Sequence, residues 1–137
     1  MTQARIRSAF ETRLSAWAAA RVPALPVVWE DVAADMPTAD HLRAYLLPSP
    51  TTSRDVMGLH RSYRGVFQVS VLCPPGGGAA KSEAIAAELA ALFTYPGYLV
   101  DASFTTRILS PMSISAAIEE PAWRSIAATW RYGADTI

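Results

Sequence analysis

The chain reads as an α+β protein: a mainly antiparallel sheet of four to five strands with two helices packed on one face. Three observations lead there. Two stretches carry apolar residues at helical spacing, several others alternate with a period of two, and Pro and Gly punctuate the joins. The 137 residues suit a single domain over 1–137, long enough to bury roughly two thirds of the unfolded surface without staples.

The first helix is expected over 3–20. Ile6, Phe10, Leu14 and Trp17 recur at spacings of four, four and three and make one face, with Arg5, Arg7, Glu11 and Arg13 off it. Pro23 and Pro26 end it. V-V-W at 27–29 is a short strand, followed by the polar linker E-D-V-A-A-D-M-P-T-A-D. A second strand is expected over 41–47, closed by Pro48 and Pro50, which open a loop of about ten residues. The strongest strand covers 60–72: Tyr63, Phe67, Val69 and Val71 share one face with Gly65 between them, and Arg64, Gln68 and Ser70 lie on the other. A second helix at 79–94 buries Ile85, Leu89, Leu92 and Phe93. After the Pro-Gly turn at 96–97, residues 98–114 alternate throughout, as one long strand or a strand broken near Pro111. The last strand, 122–132, puts Ile126, Ala128, Trp130 and Tyr132 on one side and Trp123, Ser125, Thr129 and Arg131 on the other.

Twelve basic residues balance twelve acidic ones, so there is no basic field, which argues against a duplex nucleic-acid binder. Eleven of the basic residues are Arg and only Lys81 is Lys, a bias that suits protein contacts. The single cysteine, Cys73, has no partner in the chain for a disulfide, and an intracellular setting is the default expectation. The apolar run L-S-A-W-A-A-A near the N-terminus is too short and too interrupted by charge for a signal peptide, and no stretch approaches the ~20 apolar residues of a membrane span.

The stretch C-P-P-G-G-G-A-A-K-S at 73–82, between a strand and a helix, has the layout of a phosphate-binding loop. That motif needs G-x-x-x-x-G-K-[ST], and here Pro75 and Ala80 stand where the two glycines belong. The reading is a bent strand-to-helix turn, with Lys81 and Ser82 in the solvated first turn of the helix. His41, His60 and Cys73 match no compact metal site, and Glu30, Asp31, Asp35 and Asp40 lack the spacing of a calcium loop. No serine lies in G-x-S-x-G. No catalytic residue, cofactor or metal is expected, and the chain is read as a non-enzyme.

Trp17, Trp29, Trp123 and Trp130 read as packing residues; Trp123, on the face opposite Ile126 and Trp130, is the best of them for a contact with another subunit. Between 41 and 72 stand Arg43, Arg54, Arg61 and Arg64, opposed only by Asp55. The 49–58 loop, with Val56 and Met57 at its tip, is either a mobile surface loop or an arm that orders on meeting a partner.

Taken in order, R-I-R-S-A-F-E-T-R-L-S-A-W, P-V-V-W-E-D-V, H-L-R-A-Y-L-L-P and Y-R-G-V-F-Q-V-S-V-L-C-P-P-G-G-G, followed by an alanine-rich helix ending A-A-L-F, resemble the tail terminators of long non-contractile-tailed phages over residues 3–133. The R-G-V-F-Q-V core with its Pro/Gly turn carries most of the resemblance. It implies a phage or prophage virion structural protein that forms a hexameric ring on assembly, from a monomer or weakly associating form in solution. Such a ring caps the head-proximal end of the tail tube, stops its polymerisation and offers a head-joining surface. The implied partners are other copies of the chain, the major tail tube protein and a head-completion or neck protein, with neither nucleic-acid sequence recognition nor a membrane involved. The implied location is the host cytoplasm during assembly and then the virion tail. The competing readings are another neck protein and a small ligand-binding or enzymatic α+β domain. The residues expected at subunit or tube contacts are Arg54, Met57, Arg61, Arg64, Arg107, Trp123 and Arg131, with Arg61, Arg64, Arg107 and Arg131 supplying rim ion pairs.

Overall fold

The computed structural model describes residues 2–30, 37, 39–53, 56–101 and 104–136. Among them the elements are α1 (Thr2–Ala20), β1 (Val27–Trp29), β2 (His41–Pro48), β3 (Arg61–Cys73), α2 (Ala80–Leu92), β4 (Gly97–Asp101), β5 (Phe104–Ile108), β6 (Ser113–Ile114), β7 (Ile118–Glu119) and β8 (Arg124–Thr136). The strands form one sheet in the order β1-β2-β3-β8-β5-β4, with β6 and β7 also pairing β8.

Strand alternation places the core. β3 buries Gly65, Phe67, Val69 and Val71, and β8 buries Ile126, Ala128, Trp130, Tyr132 and Ala134. The two strands pair antiparallel along their whole length, so Phe67 lies opposite Trp130 and Gly65 opposite Tyr132. Both helices cover this face. Phe10 of α1 stacks on Phe67 with ring centres 4.3 Å apart, and Phe93, just past α2, meets Phe67 at 5.7 Å and Trp130 at 5.1 Å. The indole of Trp130 donates to the carbonyl of Phe93 at 3.1 Å, so the polar end of a fully buried ring is satisfied.

Polar ties hold α1 in place. Arg7 and the Leu46 amide both donate to Glu30 Oε1, at 2.9 and 3.1 Å, and the Arg7 bond holds the Glu30 carboxyl below its usual range. Arg21 makes a forked pair with Glu88 of α2. Arg5 and Arg13 donate to the carbonyls of Asp101 and Tyr98, which caps the outer edge of β4 with helix side chains.

Several expectations are corrected. The sheet is larger than four to five strands and mixed, because β1 runs parallel to β2. The alternating stretch from 98 is not one strand: β4 turns back on β5 with Tyr98 opposite Arg107 and Leu99 opposite Thr106. Turning back exchanges the faces, so Leu99 is buried while Tyr98 and Val100 are exposed. The second break does fall around Pro111, between β5 and β6. The buried stripe of α1 continues through Ala18, one turn beyond Leu14, leaving Trp17 half-buried.

Gly65 is a required absence of side chain. A Cβ there would sit 2.4 Å from the Tyr132 hydroxyl and 2.6 Å from the Leu47 carbonyl oxygen, because Tyr132 lies across Gly65 to donate to Gln3 of α1 at 2.9 Å. Gly65→Ala is expected to lower stability by about 1–3 kcal/mol through overpacking. Urea unfolding of the variant against wild type reads this directly, and an unchanged midpoint would refute it.

Candidate functional site

The same alternation that buries Phe67 turns Arg64, Gln68 and Ser70 to the opposite, outer face of the sheet. Register then assembles a row across four strands: Arg64 of β3 faces Gly133 of β8, Gly133 faces Arg107 of β5, and Arg107 faces Tyr98 of β4. Gly133 keeps the row flat. A Cβ there would lie 2.8 Å from Arg64 Nη1 and 2.8 Å from Leu109 Cδ1, so the guanidinium lies over bare backbone.

Two positions along β8, Asp135 gathers the charges. Arg107 Nη2 lies 2.5 Å away, His60 Nε2 3.1 Å and Arg64 Nη1 3.9 Å. Burial alone would push this carboxyl up. Arg64, a hydrogen bond from Ser62, Arg107 and His60 outweigh it and hold the group below its usual 3.8. Arg131 stands on the same face and is exposed, while its backbone is fixed by Leu109 and Ser110. Neither Arg61 nor Arg131 has a carboxylate partner among the described residues. With Arg64, Arg107 and Arg131 against Asp135, this end of the outer face is net positive among the described residues.

The loop before β3 runs back along it. The Ser49 amide donates to the Arg64 carbonyl at 2.8 Å, and Thr52 and Ser62 exchange amide–carbonyl bonds at 3.1 and 2.7 Å. Arg61 folds onto the carbonyls of Gly58 and His60. Past these ties Val56, Met57 and Leu59 are exposed. Of the sequence-predicted contact residues, Arg64, Arg107 and Arg131 thus share the outer face, while Arg61 has the opposite parity on β3 and lies beside the loop that carries Met57. Arg54 lies outside the described residues.

Trp123 is separate, just before the far end of β8 from Asp135. It is half-buried and meets the ring of His41 edge-on at 4.7 Å, so part of its surface is spent within its own chain. It helps line a polar groove of about 290 Å³ with Arg43, Tyr45, Gln68, Ser70 and Glu120. His41 below is fully buried, with Nδ1 3.0 Å from the Ala39 carbonyl.

The turn at 73–82 is occupied by structure. Gly76 and Gly78 take positive φ, Lys81 pairs with Asp40 at 2.5 Å, and Ser82 donates to the Ala79 carbonyl at 3.1 Å and accepts from Arg124 at 2.8 Å. The expectation of a solvated Lys-Ser pair is corrected for Ser82, which is buried under Arg124. Burial first, and then Asp40, push the buried Cys73 thiol up to about 11, so it stays protonated at neutral pH. Among the described residues no group of three or more His, Cys, Asp or Glu side chains could hold a metal ion, and no helix is long and apolar enough to cross a membrane.

Sequence reading missed Asp135 and Tyr98 as members of the basic row. Gly133 was the available signal, since a glycine inside a strand marks a close approach.

A family model described as phage tail terminator protein matches residues 5–132. A solved protein structure is similar to this chain with a TM-score of 0.84 and 42% identity, covering 98% of this chain and 96% of that one. No curated protein matches the chain.

Two outcomes follow from the site chemistry. The depressed Asp135 carboxyl contributes stability that is present above its usual 3.8 and is lost as pH falls through its lower folded value. Asp135→Asn should cost on the order of 1 kcal/mol or less at pH 7, given its exposure, and flatten the acid limb below about pH 4; urea melts at pH 7 and pH 3 measure both. Cys73 should react with a thiol reagent at neutral pH many-fold more slowly in native than in urea-unfolded protein, as followed by absorbance.

Proposed function

The chain belongs to the phage tail terminator family, and from that membership we propose that six copies close into a ring on the head-proximal end of a tail tube. The ring stops tube polymerisation and presents the surface to which the head joins. The match over residues 5–132 is the observation that carries this reading. Family membership itself makes the chain a structural component of phage tail assembly and suggests contact with other tail and neck proteins. No catalytic step is assigned to it.

The chemistry of the outer face supports the rest. An antiparallel sheet is stiff, and a stiff surface loses little entropy when it is covered. Guanidiniums held on such a face can pair with carboxylates of a tube protein or a neighbouring copy, setting register and steering encounter more than adding affinity. Arg64 and Arg107 are held by Asp135, whereas Arg131 is exposed without a carboxylate partner among the described residues. We assign the contact surface to Arg64, Arg107 and Arg131 with Arg61 and Met57 at its end, and Trp123, at the other end of β8, to a separate contact. The protein would assemble in the host cytoplasm and remain in the neck region of the virion tail.

Electron microscopy and sedimentation of the purified protein, alone and with isolated tail tubes, test the ring. Six-fold rings, free or seated on tube ends, are the expected result, and a strict monomer that ignores tube ends would sink the reading. Arg131→Glu should weaken ring formation or tube capping without lowering stability measurably. Arg64→Glu should weaken assembly too, and intact rings and complete tails with that variant would remove Arg64 from the contact surface.

A further inference from the structure

Beyond the four strands of the basic row, one stretch of the chain is exposed without interruption. Every residue of 113–122, S-I-S-A-A-I-E-E-P-A, is exposed, although half of these residues are Ile or Ala. Ile114 and Ile118 are 50% and 58% exposed. The segment's strands β6 and β7 pair with β8 alone, so their outer sides form an open sheet edge among the described residues. The neighbouring edge, β4, is capped by Arg5 and Arg13 of α1, and no such cap covers β6 and β7 among the described residues. A bare edge with apolar side chains is a template for another chain. Its charge is one-sided: no Lys or Arg stands between Arg107 and Arg124, and Glu119 and Glu120 close the segment. Glu119 is 77% exposed and only 3.7 Å from its single partner Arg124, and Glu120 has no ion pair among the described residues.

The complementary surface is on the same molecule. Val56, Met57 and Leu59 are 105%, 79% and 60% exposed, and Arg61 beside them bonds carbonyls only. Arg64, Arg107 and His60, gathered on Asp135, lie at the same end of the sheet on the opposite parity from Arg61. The two surfaces cannot meet within one copy. Arg61 faces Thr136 across one edge of β8 and Glu119 faces Arg124 across the other, so they stand at opposite ends and opposite sides of a strand of 13 residues. That separation is roughly 40 Å along the strand at about 3.3 Å per residue.

We propose that neighbouring copies of the chain join head to tail, the Val56–Met57–Leu59–Arg61 arm of one copy docking on the exposed 113–122 edge of the next. Apolar residues meet apolar residues, and Arg61 meets Glu119 and Glu120. A two-fold contact centred on either patch alone would set basic against basic or acidic against acidic, which is repulsive. Set at opposite ends and on opposite edges of β8, the two complementary patches suit a heterologous contact, the kind that closes into rings when the rotation allows. The inference rests on the ring reading above and names the contact that closes it.

Cysteine cross-linking of the full chain tests the contact. Met57→Cys combined with Ile118→Cys, treated with a short bismaleimide at protein concentrations or on tail tubes where wild type forms rings, should give a ladder ending at six copies. Each single variant should give no ladder; dimers from Met57→Cys alone would show a two-fold contact and overturn the proposal. Charge reversal gives a second, independent readout. Glu119→Arg with Glu120→Arg should weaken ring formation at least about tenfold, Arg61→Glu should do the same, and the combined variant should recover part of the loss. Rings with no 57–118 cross-link, or rings indifferent to both reversals, would overturn the docking proposal and leave the ring standing. Absence of wild-type rings under every condition would overturn the ring and this contact with it.

Discussion

The thirteen-residue antiparallel pairing of β3 with β8 is the constraint on which the rest of the structure depends. A slip of one residue in that pairing would turn Phe67 or Trp130 out of the core and bring arginines in. The register is secured by two glycines in adjacent cross-strand pairs. Gly65 lets Tyr132 lie across β3 on the core face, and Gly133 lets Arg64 lie across β8 on the outer face. Each strand thus makes room for a long side chain of the other, one on each side of the sheet. A single register decision therefore builds the aromatic core and the basic row together.

The two faces serve different ends. The core face is consumed by α1 and α2, whose rings converge on Phe67 and Trp130. Long arginines of α1 finish the work by capping the β4 edge. Among the described residues no helix covers the outer face, and its charges are ordered by Asp135. A protein whose work is to be covered by other proteins benefits from this division: the stable side holds the shape, and the polar side can be wetted in the free chain and dried on assembly without refolding. The reactive side chains at the 73–82 turn are tied up in structure. Cys73 is held protonated beside Asp40, Lys81 is paired with the same carboxylate, and Ser82 is bonded on both sides.

Sequence periodicity read most of the fold because most elements here are continuous and one-sided. Ile6, Phe10 and Leu14 are buried as their spacing demands, and so are Phe67, Val69 and Val71. It failed where the chain reverses without a strong marker. The alternation from Tyr98 onward runs unbroken through a hairpin, so the pattern looked like one strand although the side chains exchange faces at the turn. The parallel β1–β2 pair was equally hidden, since three residues of V-V-W carry no sign of strand direction.

The outer face was legible in part. Arg64 and Arg131 declared their side by parity, and the failed phosphate-loop match at 73–82 was visible residue by residue. By itself the sequence determined which residues point inward in α1, β3 and most of β8, the two-helix α+β class and the family resemblance, because those depend on local spacing and chain order. Only the tertiary structure decided that Asp135 meets Arg107, Arg64 and His60, that Ser82 is buried beneath Arg124, and that the 113–122 edge is left bare. Those are matters of long-range strand register, and register between distant strands leaves no periodic trace in the residues that obey it.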